Sequence, residues 1–541
     1  MTNIYKLALC TSLFLLTMAS CKTASTAVAI PAGTNTIVDI PAKKIELTDS
    51  EKDNWQHLDL ATDTIPGMSV NKAYEFLQGK TGIEVIVGVV DSGTDLTHED
   101  LKDVAWVNKN EVAGNGIDDD KNGYVDDIHG WNFLGKTYDE HLEYERILMD
   151  PSITDEATLA EAKAYLNEKV TEASNTKARY QNFLSGVLFA DKAFTDHFKK
   201  DDYTMEDIKA LDPSTTGLKE AIGIAGFVDS NGYTMNGMKD ELTELIEKAD
   251  KTINGENLKK DYRTTGDNAY DIKDKPGSGD ANPGPSEKGE SHGSHVSGII
   301  GATRNNGIGI DGVAKNVKMM AVRSVSNGDE YDKDVALGFR YAVDNGAKVI
   351  NTSFGKGFSP NKEWVYDAIK YAAKNDVLIV NAAGNDAKDI DVEKTFPNDA
   401  PDLINEISDN FLTVGAMSSN YSKDLLATFS NYGKKNVDVF APGVKVNSTT
   451  PEGEYKKLSG TSMASPATAG VAALIRSYYP KLTASQVKRI IMNSGTQVGF
   501  DILKPGTETG ELVPLSDLCV SGRIVNAYNA VKIADQIVNG Q

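Results

Sequence analysis

The sequence predicts an α/β protein: a parallel sheet with helices on both faces, carrying a mostly helical insertion. Short, continuously apolar runs at 83–91, 317–325, 348–354, 377–383 and 411–417 alternate with segments of helical period, as buried parallel strands joined by crossovers do. A long charged stretch between Gly135 and Pro285 interrupts that alternation with a different, purely helical pattern. The chain has 541 residues, of which 40% are hydrophobic and 25% charged, an ordinary globular balance. A single core stops growing near ~250–300 residues, so one large domain plus an addition is expected.

The elements follow in chain order. Residues 1–20 combine Lys6 with an apolar stretch over 7–18, too short to span a bilayer, and read as an export signal. Met18-Ala19-Ser20-Cys21 is similar to the lipobox of bacterial lipoproteins, in which cleavage exposes the cysteine for acylation. Cys21 is therefore the expected lipidation site, and the expected location is a bacterial membrane, at the outer membrane or cell surface. Residues 21–50 mix Ala, Thr, Pro and Lys without period and read as a lipid-anchored tether, little more than a tether and an arm ahead of the first strand. The sheet domain is expected in two parts, 51–134 and 288–541, around an insertion at 135–287. The cysteines are Cys10, Cys21 and Cys519, so no internal disulfide is expected, and Cys519 reads as a buried packing thiol.

Within the insertion, Leu159, Leu166, Ala173, Tyr180, Val187 and Phe194 recur every seven residues behind a Thr154-Asp155 start signal, which predicts one long amphipathic helix. Gly232, Gly237 and the run 238–249 suggest a second helix, and the Gly/Pro-rich 274–285 a return linker. A helical hairpin, folded on itself or across the sheet domain, and a partner-docking module both fit this pattern. Farther on, Thr483 and Gln486 form a capping box for a helix that Gly495 closes.

Three segments carry chemistry. The strand at 83–91 delivers Asp91 to the carboxyl edge of the sheet, where active sites of open α/β sheets gather. S-H-G-S-H-V-S-G at 291–298 offers His292 at a helix start. L-S-G-T-S-M-A-S-P at 458–466 puts Ser462 behind two small residues at another. A serine becomes a nucleophile when a base takes its proton and an orienter holds the base, which this Asp, His, Ser order can supply. Taken singly each residue has an ordinary reading as cap or core; jointly they do not. His295, three residues past His292, reads as structural.

These segments resemble those of the subtilisin family of serine endopeptidases. The resemblance implies a subtilisin-like fold and hydrolysis of peptide bonds in extended protein or peptide substrates through an Asp91-His292-Ser462 triad. It maps the oxyanion-hole asparagine onto Asn385 in L-I-V-N-A-A-G-N-D and places substrate beside Ser353, Phe354 and Gly355 and the segment around Gly328. The rival from another class is a catalytically idle surface adhesin or scaffold on a protease-like core. The intact triad argues against it, as the lack of a G-x-S-x-G elbow argues against a small-molecule esterase.

G-I-D-D-D-K-N-G-Y-V-D-D at 116–127 spaces Asp118, Asp120, Asn122, Tyr124 (through its carbonyl) and Asp126 like the first nine positions of an EF-hand-type loop, so a structural Ca²⁺ is expected there. The twelfth position is His129 rather than Glu, which leaves Asp127 to complete the set. The subtilisin resemblance implies a second calcium site at Asp100 and Asn306, with the Ile308 and Ile310 carbonyls. A net charge of −22 excludes nucleic acid and anionic lipid surfaces as electrostatic partners.

Overall fold

The computed structural model describes residues 46–540, apart from 213, 231, 260, 261, 288, 508 and 509 and the side chains of 257 and 259. The export signal, Cys21 and most of the tether lie outside the described residues.

A nine-stranded sheet organises the chain. Its strands are β1 Val85–Asp91, β2 Gly130–Asn132, β3 Val317–Arg323, β4 Val349–Thr352, β5 Leu378–Ala382, β6 Phe411–Met417, β7 Val439–Pro442, β8 Thr496–Gln497 and β9 Arg523–Ile524. Their order is β8-β9-β7-β6-β5-β4-β1-β3-β2, parallel except for the β8–β9 pair. Successive side chains of a strand point to opposite faces, and both faces are apolar here. Val85, Val87, Val89, Leu378 and Val380 enter one cluster; Val90, Ile350, Ile379 and Phe411 enter the other. Continuous apolar runs are thus required, and the α/β fold with a helical insertion follows.

The helices fall into matching layers. α1 Val70–Phe76 comes early. The insertion holds α2 Glu143–Met149, α3 Glu156–Phe198, α4 Lys219–Ser230 and α5 Met235–Ile253, and the later part holds α6 His292–Gly301, α7 Asp332–Asp344, α8 Lys362–Lys374, α9 Thr461–Tyr478, α10 Ala484–Ser494 and α11 Ala527–Asn539. α1, α6, α9, α10 and α11 cover the first face; α7 and α8 cover the second.

The N-terminal segment is more than an arm. Trp55, Ile65, Met68 and Val70 are buried in the first core cluster, each worth ~1.5–3 kcal/mol if exposed instead.

α3 runs for 43 residues, its Asp155 cap accepting from Thr158 N at 2.8 Å. Its C-terminal half packs on α4 and α5 through Val187, Ala190, Phe194, Ala225, Met238 and Leu242, so the insertion is a hairpin closed by its own core. Its N-terminal turns belong to another cluster, with Leu159, Tyr165 and Leu166 against Tyr144, Ile147 and Phe358. α4 was not foreseen, because Gly223 and Gly226 depress helix propensity there.

Candidate active site

Parallel strands share one carboxyl edge, and the sequence spends the ends of β1, β4 and β5 there. Asp91 is the last residue of β1, Ser353 follows β4, and Asn385 stands in the turn after β5. α6 and α9 begin at the same edge, with His292 first in α6 and Ser462 second in α9.

His292 Nδ1 lies 2.6 Å from Asp91 Oδ1. A carboxylate oxygen only accepts, so Nδ1 carries the proton and Nε2 is left as the base. Asp91 is 1% exposed; its Oδ1 also accepts from Ser92 N at 2.7 Å, which fixes the carboxylate. Burial would lower the His292 pKa, but the Asp91 charge and hydrogen bond outweigh it and raise it above the ordinary value. Gly293 permits this approach, because a Cβ there would sit 2.3 Å from the Ser92 carbonyl.

His295 is fully buried, bonded through Nε2 to the Lys456 carbonyl at 2.8 Å. Burial pushes its pKa down to about 4, so it stays neutral.

Ser462 sits where α9 has unpaired first-turn amides. Pro466 has no N–H to return to the Ser462 carbonyl, which accepts instead from Ser353 Oγ at 3.1 Å. Reciprocally, Ser462 Oγ donates to the Ser353 carbonyl at 3.1 Å, rather than to His292.

Asn385 Oδ1 accepts from Thr461 N at 2.8 Å and Thr461 Oγ1 at 3.0 Å, which turns the amide NH₂ away from those donors. A Cβ built on Gly460 would lie 3.5 Å from Ser462 N and 3.7 Å from Asn385 Nδ2, so the two nitrogens stand close together beside Gly460. The Asn385 turn is braced by Asn431, whose Oδ1 accepts from Asp386 N and Lys388 N and whose Nδ2 donates to the Ala383 carbonyl. Gly384 adopts φ +104°, and a Cβ on it would strike Asn431 Nδ2 at 2.3 Å.

Ser462, Asn385, Ser353, Phe354, Gly355 and Gly328 line one cleft of about 470 Å³. The segment at Gly328 is partly spoken for: Asn327 N donates to the Tyr138 carbonyl at 2.7 Å, and Asp329 N to that of His141 at 3.2 Å. The Gly328 N–H is taken as well, by the Ser326 carbonyl at 3.0 Å.

In the acidic loop the structure gathers carboxylates that overlap the expected ligand set at Asp120. The carboxylates that converge, with oxygens within 4.8 Å of one another, belong to Glu111, Asp120 and Asp127. Asp118 accepts from Asn122 N and Gly123 N, Asp126 from Asn115 N and Gly116 N, and Glu111 from Asp120 N and Asp126 N, so carboxylates inside and outside the converging trio all brace the turn. Asn122 donates its amide to Asp120 and Asp127, and the Tyr124 ring packs on Trp131 and Tyr341. An all-carboxylate oxygen set fits a hard divalent cation.

At the second expected site, Asp100 accepts from Asn306 Nδ2 at 2.6 Å, Ile310 N at 2.9 Å and Tyr455 Oη at 3.2 Å. These contacts bring Asn306 and Ile310, two of the residues expected at that site, onto the Asp100 carboxylate. Cys519 is fully buried, its thiol pushed up to about 11 by burial.

Sequence reasoning missed Glu290 and Arg323. Arg323 ends β3, is wholly buried, and donates through Nε to Glu290 Oε1 at 2.7 Å, two residues before His292. An arginine closing an apolar strand was the available signal.

The carboxylate–imidazole pair, the serine hydroxyl and the amide donors gather on one edge of the parallel sheet, the set of groups that serine hydrolases use. Residues 82–510 match the Subtilase family, peptidase S8, and the chain belongs to that family. It is 38% identical to subtilisin DY of Bacillus licheniformis over 214 residues, 39% of this chain and 72% of that protein. It is 36% identical to thermitase of Thermoactinomyces vulgaris over 247 residues, 46% of this chain and 76% of that one. Among solved structures, a cold adapted subtilisin-like serine proteinase is 31% identical, covering 44% of this chain and 77% of its own, with a TM-score of 0.34. The chain is accordingly a subtilisin-like serine-type endopeptidase.

Proposed function

We propose that Ser462, His292, Asp91 and Asn385 carry the hydrolysis, and that the substrate is an extended polypeptide lying along Ser353-Phe354-Gly355. The observation that carries this reading is the 2.6 Å Asp91–His292 contact beside the cleft that Ser462 and Asn385 share. Catalytic hydrogen bonds in a substrate-free site are often misaligned and tighten with substrate. Rotation about the Ser462 Cα–Cβ bond turns Oγ from the Ser353 carbonyl toward His292 Nε2. His292 takes the hydroxyl proton as Oγ attacks the scissile carbonyl, and returns it to the leaving amine. Asp91 holds the imidazolium, and the Ser462 and Asn385 amide donors receive the oxyanion; water then hydrolyses the acyl-enzyme in the same way. A fluorophosphonate tests this, since it labels only an activated serine: Ser462 is expected to be modified in the intact protein and Ser462→Ala not at all.

The cation we propose at Glu111, Asp120 and Asp127 is Ca²⁺, a structural ion that neutralises three converging carboxylates. For the N-terminus we propose acylation of Cys21 and anchoring to a bacterial membrane, supported by the lipobox-like Met18-Ala19-Ser20-Cys21. Cys21→Ser is expected to leave the membrane fraction; continued membrane association would refute the anchor.

A further inference from the structure

The insertion touches the active-site cleft at its root. Leu142, Tyr144 from α2 and Tyr165 from α3 line the same cleft as Ser462 and Asn385. The Tyr165 ring bridges two partners edge to face, Tyr144 at 5.0 Å between centroids and Phe358 at 5.6 Å. Phe358 lies three residues past Gly355, on the substrate-cleft segment itself. Leu142 is 41% exposed, and Phe354, Phe358 and Tyr165 are half-buried, so an apolar surface faces the cleft.

This wall is held rigidly. Arg146 of α2 pairs with Glu143 at 2.6 Å and donates to the Asp329 and Glu330 carbonyls at 2.8 and 3.1 Å, while Glu143 also takes Lys356 Nζ at 2.6 Å. Those contacts join the insertion root to both segments that flank the cleft, 329–330 and 356. The charged groups at its floor are engaged within the protein, and along the same cleft Lys388 pairs with Glu393 at 2.9 Å, beside Asp386 and Lys394. Lys356 is spent on Glu143 and Asp332, Asp329 accepts from Glu143 N, and burial pushes Glu330, beside Asp329, toward its uncharged form.

We infer that the insertion supplies a specificity wall for the peptidase reaction: Tyr165, Tyr144 and Leu142 close, with Phe354 and Phe358, a subsite for a bulky aromatic or aliphatic side chain of the substrate. The occupant is substrate because the apolar surface is continuous with the cleft at Ser462. The inference rests on the proposed role of Ser462. It makes the insertion a part of substrate recognition rather than an appendage, while its distal hairpin, with a core of its own, takes no part.

The experiment profiles cleavage of a peptide library by the full-length protein, Tyr165→Ala, Tyr165→Phe and Leu142→Ala, with fluorophosphonate labelling of each. One subsite is expected to prefer Phe, Tyr, Leu or Met over Ala. Tyr165→Ala should lower kcat/KM roughly tenfold more for the bulky peptides than for Ala peptides, with Ser462 still labelled. Tyr165→Phe should keep the preference, and Leu142→Ala, at an exposed position that folding does not need, should weaken it. An unchanged profile in Tyr165→Ala and Leu142→Ala with labelling intact would overturn the wall alone, as would a preference for Lys or Arg at that subsite. Absence of labelling in the unmutated protein would overturn the nucleophile and the wall together.

Discussion

Arg323 and Glu290 form an ion pair with both side chains essentially removed from solvent, 0% and 3% exposed. The arginine also donates to the Gly135 and Thr137 carbonyls and to Ser286 Oγ, while Glu290 accepts from Gly93 N and Ser286 N. One buried network thus ties the end of β3, both margins of the insertion and the turns flanking Asp91 and His292. Removing one partner of a buried pair leaves the other charge stranded, at a cost of about 3–5 kcal/mol.

Glu290→Ala is therefore expected to lower the thermal unfolding midpoint strongly and to reduce kcat with it, because His292 loses its anchored approach. Burial works to raise the Glu290 pKa, but Arg323 overrides it and the net shift is downward. A depressed carboxylate stabilises above its unfolded pKa and loses that contribution as pH falls through the folded one, so the stability gap between parent and variant should be widest near neutrality and narrow in acid. A gap that stays constant down the acid limb would refute the pair's electrostatic contribution.

The raised His292 pKa sets the acid limb of activity. A general base must be neutral, so kcat/KM should fall as pH drops through a midpoint above ~6.5. The stability term runs the other way: the protonated pair stabilises fully below the unfolded pKa and loses that contribution as pH rises through the folded one. The enzyme therefore works where this contribution has gone. NMR titration of His292 in Ser462→Ala should give a pKa above the ordinary value, and Asp91→Asn should bring it below, since burial then acts alone. A Ser462→Ala protein titrating below ~6.5 would contradict the electrostatics described here.

Ser462→Ala, His292→Ala and Asp91→Ala should each remove nearly all hydrolysis while leaving the fold, since the groups act as a unit. Asn385→Ala should cost about 10²–10³ in kcat, a magnitude taken from subtilisin's own oxyanion-hole asparagine. Thr461→Val deletes one of the two bonds that orient Asn385, and a smaller loss of about fivefold is expected, in kcat rather than KM. A larger effect on KM would assign Thr461 to substrate binding.

The fold was legible where local signals are strong. The apolar run at 411–417 coincides with β6, and the Thr483–Gln486 capping box opens α10. Asp91, His292, Asn385 and Ser462 each sit beside such a signal, a strand end, a helix start or a glycine turn, which is why residues so far apart in the chain could be singled out. What was hidden depends on the tertiary fold. Glu290 and Arg323 are 33 residues apart with no motif between them, and Glu111 joins Asp120 and Asp127 from outside the loop whose spacing drew attention. The segment around Trp55 and Met68 shows no clean period, because its apolar residues meet the core through short turns rather than one helix face.

The last prediction concerns that acidic cluster. Asp127 is raised above the ordinary carboxylate range, by burial first and by the charge of Asp120 as well, against the hydrogen bonds of Tyr341, Asn108 and Asn122. A divalent cation among Glu111, Asp120 and Asp127 would remove that repulsion. Binding to the folded state alone stabilises by about 2.7 kcal/mol at a hundredfold excess over Kd. A chelator should accordingly lower the unfolding midpoint, and added Ca²⁺ should restore it. Asp120→Asn with Glu111→Gln should abolish the difference between chelated and Ca²⁺-loaded protein. Asp118→Ala should preserve it, since Asp118 lies outside the three carboxylates whose oxygens converge. Coincident melting curves of the unmutated protein with and without chelator would show that the cluster holds no ion. Loss of the difference in Asp118→Ala alone would return the site to the linear spacing of the loop.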